Sequence, residues 1–568
     1  MLLYILAAAG AAAGLWLLKR KTGGPDWVMG LMTLVLPFCV GGFHGYTAAL
    51  AALVLLYALC RRKGLTLRWD LTTAAFGAIL ISLGLSPLWA ADRGMTIFGI
   101  LPWLGAGLYW LTLENLPEKR DRALDLVPLC GAAMTVLSVL MLLLIPQTRQ
   151  QLTVNGRLAG FFQYPNTFAA FLLCGYILLA ARKEWKKGTF PLLILLAWGI
   201  LLSGSRTAFL LLAFSVFFLM TLRRTRITIS RLPFSLMAGI LLGHLTEAMG
   251  ILQQAGRYLE MDEGGTFFAR LLYWQDALPV LAKSPLGVGY YGWRTIQGMI
   301  QTGRYEAAYL HNGLLQIAMD AGWLPAVLMG LALLRGIFAK GLAPEKRMLL
   351  TVLCAYCMVD FHTEYIAIWV LLLGALPAPP GKTFPLTRKQ AAIPAALLAA
   401  VCLWLGSAQA LYHSGNIDAC LALAPFHTDA AEARLSRTED PAQAEALLAL
   451  DEHRSRGWNT LAWDALDRGD WEKLLEYKDR AIACDRYNTA QYIDYVNCLY
   501  TALFDNLDAG REEEAWVLAE RMLSVREDML RVEEATSPLA LTTGEDNTLT
   551  LPENYEEMMI QLETILAE

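Results

Sequence analysis

The chain has 568 residues, 56% of them hydrophobic and 17% charged, with a mean hydropathy of +0.41. That excludes a water-soluble globule, a disordered chain and a disulfide-stapled scaffold, and calls for a polytopic membrane protein. The formal net charge of −4 hides two unlike parts: after Tyr412 there are 33 acidic against 13 basic side chains, a net of −20, which leaves +16 on the first 412 residues; so acidic a tail speaks against a nucleic-acid partner.

Apolar runs long enough to cross about 30 Å of hydrocarbon are expected near 2–18, 27–44, 46–60, 72–90, 95–113, 124–145, 166–181, 189–203, 205–222, 232–251, 312–337, 347–361, 363–378 and 390–411. The expected fold is therefore all-α: a polytopic transmembrane helix bundle of about fourteen crossings over residues 1–412, followed by an acidic, soluble, helical domain over 413–568. The two short runs around Asp360 also fit one long helix with a break. No basic residue precedes the first run and Lys19, Arg20 and Lys21 follow it, so it reads as a membrane helix rather than a signal peptide.

Basic clusters fall at Lys19–Lys21, Arg61–Lys63, Lys119–Arg122, Arg182–Lys187, Arg223–Arg226, Lys340–Arg347 and Lys382–Lys389, each after an odd-numbered crossing. The positive-inside rule puts these connections in the cytoplasm. External, by the same parity, are the stretches 146–165 and 204–206, a large loop over 252–310, the segment 360–364 and the whole tail. The expected location is a multi-pass protein of the cytoplasmic (inner) membrane with an extracytoplasmic C-terminal domain.

The tail carries apolar residues at helical spacing among many charges. Trp458 to Trp463, Gly469-Asp-Trp471 and Ala481 to Asn488 have the helix-turn-helix texture of tetratricopeptide repeats, and a plain helical bundle fits equally well. Residues 537–552 read as a loop before a last helix. Seven of the ten cysteines lie in or beside apolar runs, where a thiol behaves as a small hydrophobe. Cys354 and Cys357 lack the partners of a zinc or redox site; of Cys420, Cys484 and Cys498, one pair is free to close in an oxidising compartment.

Polar residues of chemical interest gather on the external side. The large loop holds Arg257, Arg270, Arg294 and Arg304, against the orientation trend, and Arg206 opens a crossing directly after Gly204-Ser205. A lone external arginine is most simply a snorkelling or headgroup-contacting side chain; Arg206, at a membrane-embedded segment, is the exception that calls for a cavity or a partner. A guanidinium stays charged and grips a phosphate bidentately, so two of them suit a lipid diphosphate. His311, beside Asn312 and Gly313 at the mouth of an apolar helix, is either a cap or a general base. Asp360, His362 and Glu364 form a further external cluster, most simply loop polarity, with positioning of an acceptor as the other reading. There is no P-loop and no HExxH, and no cluster has metal-ligand spacing, so neither a metal nor a cofactor is expected. Gly287-Val-Gly289 is better explained by a close backbone approach than by nucleotide binding.

Four stretches, in order, are similar to the O-antigen ligase and O-antigen polymerase family: Gly156-Arg157 through Gly160 to Pro165-Asn166, Ser203-Gly-Ser-Arg206, Arg270 to Trp274 running into Ser284 to Gly289, and His311-Asn312 with Gly322 beyond. Pro325 stands where the family carries a small or hydroxyl residue. The resemblance spans 156–325 in its motifs and about the first 410 residues in its layout; the tail lies outside it. It implies a metal-independent membrane glycosyltransferase that moves a glycan from a polyprenyl (undecaprenyl) diphosphate carrier to an acceptor hydroxyl on a glycan or lipid, at the outer face of the cytoplasmic membrane. Carried over, Arg206 and Arg270 hold the diphosphate, His311 is base or acceptor-positioning group, and Arg157, Arg294 and Asn312 are substrate contacts. Direct displacement by a hydroxyl inverts the anomeric centre. The alternative is a transporter or flippase of a lipid-linked glycan, for which a basic cavity among many helices also serves. The acidic tail is expected to meet an acceptor or a protein partner.

Overall fold

The computed structural model describes residues 27–568 except 63, 118–119, 224, 253–264, 379–380 and 568. The expected crossing near 2–18, the cluster Lys19–Lys21 and Arg257 lie outside the described residues. Every other apolar run is helical. Among the described residues, five helices are long and apolar enough to cross a bilayer, at Leu71–Leu88, Met95–Asn115, Arg120–Leu144, Thr228–Ala248 and Arg388–His413, with shorter apolar helices such as Gly45–Cys60, Pro165–Ala180, Thr189–Leu202 and Arg206–Leu222 beside them. The first part of the chain is thus a multi-pass membrane protein.

The two short runs expected around Asp360 are two helices, and the structure departs from expectation in two other places. The run expected as one helix over 312–337 is two helices, Gly313–Ala321 and Trp323–Ile337. They meet at Gly322, whose φ of +96° breaks the helix and whose missing side chain lets Pro285 O approach to 2.8 Å of where a Cβ would stand. Around Asp360 the chain forms two helices, Pro344–Cys357 and Ile366–Ala375, joined by a turn at His362–Glu364. The all-helical expectation also misses two small sheets: Leu65–Trp69 pairs antiparallel with Lys382–Leu386, and Thr153–Val154 with Arg157–Leu158.

The first sheet bears on sidedness. It joins two connections that carry basic clusters, and Asn115 brackets it by accepting from Thr66 N at 2.9 Å and donating to Thr66 O at 3.0 Å. Nearby, Arg120 donates to Leu376 O, Lys346 pairs with Asp121, and Arg182 pairs with Asp125 at 3.1 Å. Connections grouped by charge counting therefore touch one another. Arg388–His413, 26 residues and so about 39 Å at 1.5 Å per residue, runs from this end to the other, where the tail begins.

The tail is a string of helical hairpins. Ser455–Asp467 and Trp471–Cys484 turn at Gly469 (φ +69°), and Thr489–Asp508 and Glu512–Glu534 turn at Gly510 (φ +72°). Its first helices pack with the membrane core through Ile417, Cys420 and Ala430, and a second core begins at Ala462. All ten cysteines, the tail's three included, are unpaired.

Candidate functional site

Local geometry delivers each side chain. Asn155 and Gly156, with φ of +49° and +73°, make the two-residue turn between the short strands and place Arg157 at the start of the second. Pro165 begins the helix Pro165–Ala180, setting Tyr164 and Asn166 at its mouth. Gly287 fits only as glycine: a Cβ would lie 2.6 Å from Met319 O and 2.8 Å from Gly322 N. The glycines of two separated motifs thus seat the large loop on the helix that follows His311.

His311 has φ +50°, a left-handed conformation costing a β-carbon-bearing residue about 1–2 kcal/mol. The neighbouring backbone is clamped: Leu310 N donates to Gln316 Oε1 at 2.9 Å, and Leu310 O accepts from Trp274 Nε1 at 2.8 Å. Asn312 caps the helix Gly313–Ala321, accepting from Leu314 N and Leu315 N at 3.1 Å each; it is absent from the cavity wall described below, so its carboxamide oxygen is engaged in holding the helix rather than in facing substrate.

At the centre stands Asp360, fully buried rather than a feature of loop polarity. Tyr164 Oη donates to its Oδ1 at 2.9 Å and Asn166 Nδ2 to its Oδ2 at 2.7 Å. Arg270 Nη2 lies 3.4 Å from Oδ2 and His311 Nδ1 3.1 Å from Oδ1. Burial opposes the charge, but the imidazoles of His362 and His311 and the Arg270 guanidinium hold this carboxyl well below the usual carboxylate range. A carboxylate only accepts, so His311 Nδ1 carries its proton toward Asp360, which leaves Nε2 as the acceptor. Phe361 meets the His311 ring edge-on at 5.0 Å and fixes its plane. Asn166 in turn accepts from Arg157 Nη2 at 2.6 Å, and Arg157 Nε donates to Ser203 O at 2.8 Å.

His362 and Glu364 are also buried, behind this layer: His362 Nδ1 lies 2.9 Å from Thr167 Oγ1, and Glu364 accepts from Tyr290 Oη at 3.3 Å. An ionisable triplet between two apolar helices was the signal for them.

Arg157, Arg270 and His311 open on one cavity of about 1600 Å³, whose opposite walls come from the tail. Arg206 is one step removed, donating to Thr266 Oγ1 at 2.9 Å, and Thr266 rather than Arg206 lines the cavity. Arg294 lines it too, held by Asp429 of the tail at 2.8 and 3.0 Å and lying over the Tyr291 ring. The structure thus brings Arg157, Arg270 and His311 together and adds Asp360, Tyr164 and Asn166.

No curated protein and no solved structure matches the chain. Residues 191–330 match the family model described as O-antigen ligase. That stretch holds Arg206, Arg270, Arg294 and His311, while Arg157 and Asp360 reach the same site from outside it. Through it, this chain is identified as carrying a domain of the O-antigen ligase family.

Proposed function

We propose that the protein transfers a glycan from a polyprenyl-diphosphate carrier to an acceptor hydroxyl at the outer face of the cytoplasmic membrane, with the tail on the same side. The observation that carries the reading is the His311–Asp360 pair at 3.1 Å, set beside Arg270 on the wall of a large cavity. The acceptor hydroxyl gives its proton to His311 Nε2 as its oxygen attacks the anomeric carbon. The bond from that carbon to the phosphate oxygen breaks, and the carrier diphosphate leaves with the electron pair. Asp360 keeps the imidazole in one tautomer and stabilises the imidazolium that forms.

Negative charge grows on the departing diphosphate, so guanidinium groups fixed beforehand stabilise the transition state more than the ground state. Arg270 contacts Asp360 through one nitrogen, and the rest of its fork is available to phosphate oxygens. Arg157 is held on its far side by Ser203 and Asn166. Arg206 acts from the edge, through the segment that Thr266 anchors. Direct displacement inverts the anomeric configuration.

The test is His311→Ala in purified protein given a polyprenyl-diphosphate glycan and an acceptor. Transfer is expected to fall about 10²–10⁴-fold with lipid binding retained, and wild type to give the inverted product. Translocation of the lipid that survives the substitution, with no transfer by wild type, sinks the enzyme in favour of a carrier.

A further inference from the structure

The cavity wall has two unlike parts: one carries Arg157 and Arg270, and the other is built largely by the tail. The segment read from sequence as a loop before the last helix docks on the large external loop: Ser537 N donates to Thr302 O at 2.8 Å, Arg304 N donates to Asn547 Oδ1 at 2.6 Å, and a Cβ on Gly303 would lie 2.2 Å from that of Ala540. So close a fit sets the loop in one register and brings Thr543, Gly544 and Glu545 onto the cavity wall. Glu545 is near enough to the Tyr273 phenol to add to the upward shift that burial gives it, and the Tyr273 ring lies 6.0 Å from that of His311.

A second tail segment, around Asp485 and Asn488, completes this wall, with Glu306 of the large loop beside it. Asn488 Nδ2 donates to Asp485 Oδ2 at 2.8 Å, so an amide and a carboxylate lie side by side on this wall. Arg304, which lines this part of the wall, is engaged by Tyr487 O at 3.0 Å and Thr489 Oγ1 at 3.2 Å. Around that engaged guanidinium the wall offers an amide, hydroxyls and the three carboxylates Glu306, Asp485 and Glu545, groups that hydrogen-bond hydroxyls and ammonium groups and repel anions.

We infer that the tail forms a sugar-binding subsite of the same cavity, selecting neutral or amino-bearing sugars against uronic acids and other anionic ones, with Glu306, Asp485 and Glu545 as the selecting residues. The inference rests on the transfer reading, since continuity with the His311 face is what makes the subsite part of a reaction. The cavity's polarity then orients the ligand: diphosphate at the arginines, glycan along the tail.

The experiment uses the full chain in lipid nanodiscs and free oligosaccharides with no carrier attached: one neutral, one amino-bearing and one uronic-acid-bearing of equal length. Binding by competition is expected to favour the amino-bearing over the uronic sugar by about tenfold or more at low salt, a margin that shrinks as salt screens the charges. Asp485→Asn with Glu545→Gln should flatten the preference, and Glu545→Lys should shift it toward the uronic sugar. The wild-type salt series needs no variant, so it tests the preference even where a substitution disturbs the fold. Equal or tighter binding of the uronic sugar by wild type overturns the subsite, as does a preference unmoved by both sets of variants. Because carrier-free binding requires no transfer, loss of the preference with transfer intact condemns the subsite alone, whereas the preference without any transfer condemns the enzyme reading. The source of the sugar is read from kinetics: the oligosaccharide raises the donor KM where it mimics the carrier-borne glycan and the acceptor KM where it mimics the acceptor.

Discussion

Two buried ion clusters flank the cavity, and they are built as opposites. In one, a single carboxylate, Asp360, is ringed by the donors Tyr164, Asn166, Arg270 and His311. In the other a single guanidinium, Arg454, is ringed by carboxylates, reaching Asp451 at 2.5 Å, Glu432 at 2.7 Å, Asp92 at 2.8 Å and Asp429 at 3.0 Å. Both bury a charge and satisfy it locally. The difference lies in spare capacity. Every nitrogen of Arg454 is taken, and Asp92 is itself held by Gly94 N and Met95 N, so this cluster ties tail to membrane part and has little left for a ligand. Around Asp360, Arg270 and His311 line the cavity with atoms that the cluster does not use, above all His311 Nε2. Burial of charge is common to structure and chemistry; an open valence marks the chemistry.

The sharpest way to break this contrast is Asp360→Asn. The side chain keeps its shape, but the imidazole loses the acceptor that fixes its tautomer, and kcat should fall about 10³–10⁴-fold, measured by single-turnover transfer with lipid affinity followed separately. A rate within a few-fold of wild type would show Asp360 to be structural, like Arg454.

Arg454→Met is the counterpart. It leaves several buried carboxylates without their cation, at a cost of about 3–5 kcal/mol. The expected readout is early thermal release of the tail and new protease cleavage between residues 413 and 460. Lost transfer with the tail still docked would instead move Arg454 into the chemistry.

Arg270→Lys and Arg157→Gln sharpen the donor half of the comparison. A lysine keeps the charge but not the fork that spans Asp360 and a phosphate, so donor affinity should drop about tenfold to a hundredfold without loss of fold. Gly322→Ala tests the scaffold rather than the site: positive φ and the crowding by Pro285 O predict about 1–3 kcal/mol of destabilisation, read as a lowered melting temperature.

How legible this was from sequence depends on the range of each interaction. Apolar runs gave the helices because lipid demands a local property of about twenty residues, and charge parity grouped the connections that the Leu65–Trp69 sheet then joins. Arg157, Arg270 and His311 were legible through motifs. Asp360 is hard to read as the centre of the site, because its meaning comes from Tyr164 and Asn166, which lie nearly two hundred positions away. The turn at Asn155-Gly156 is a hairpin signal readable from the Asn-Gly pair alone. Arg294 lines the same cavity, and its partner Asp429 lies in a tail that the motifs never reach. The cavity's far wall was out of range of sequence reasoning altogether, since a loop of polar residues says nothing of the surface it docks on.

The smallest expected effect is that of pH on the Arg454 cluster, and its sign separates two of the carboxylates. Asp429 is partly buried, and although desolvation opposes its charge, Arg294 and Arg454 hold its carboxyl below the ordinary value. It therefore contributes stability above the unfolded pKa of about 3.9, and that contribution is lost as pH falls through its lower folded value. Asp92 behaves oppositely: burial raises its carboxyl against the pull of Arg454, so the folded state binds the proton more readily, and stability declines as pH rises from about 3.9 through its folded value. Tail docking should thus gain slightly as Asp92 protonates on acidification and fall only below about pH 4, when Asp429 loses its charge. A melting series from pH 8 to pH 3 measures this, and Asp92→Asn should remove the slight gain while leaving the acid fall in place. A steep loss of docking between pH 8 and pH 6 would mean that a different group, and not this cluster, governs the attachment of the tail.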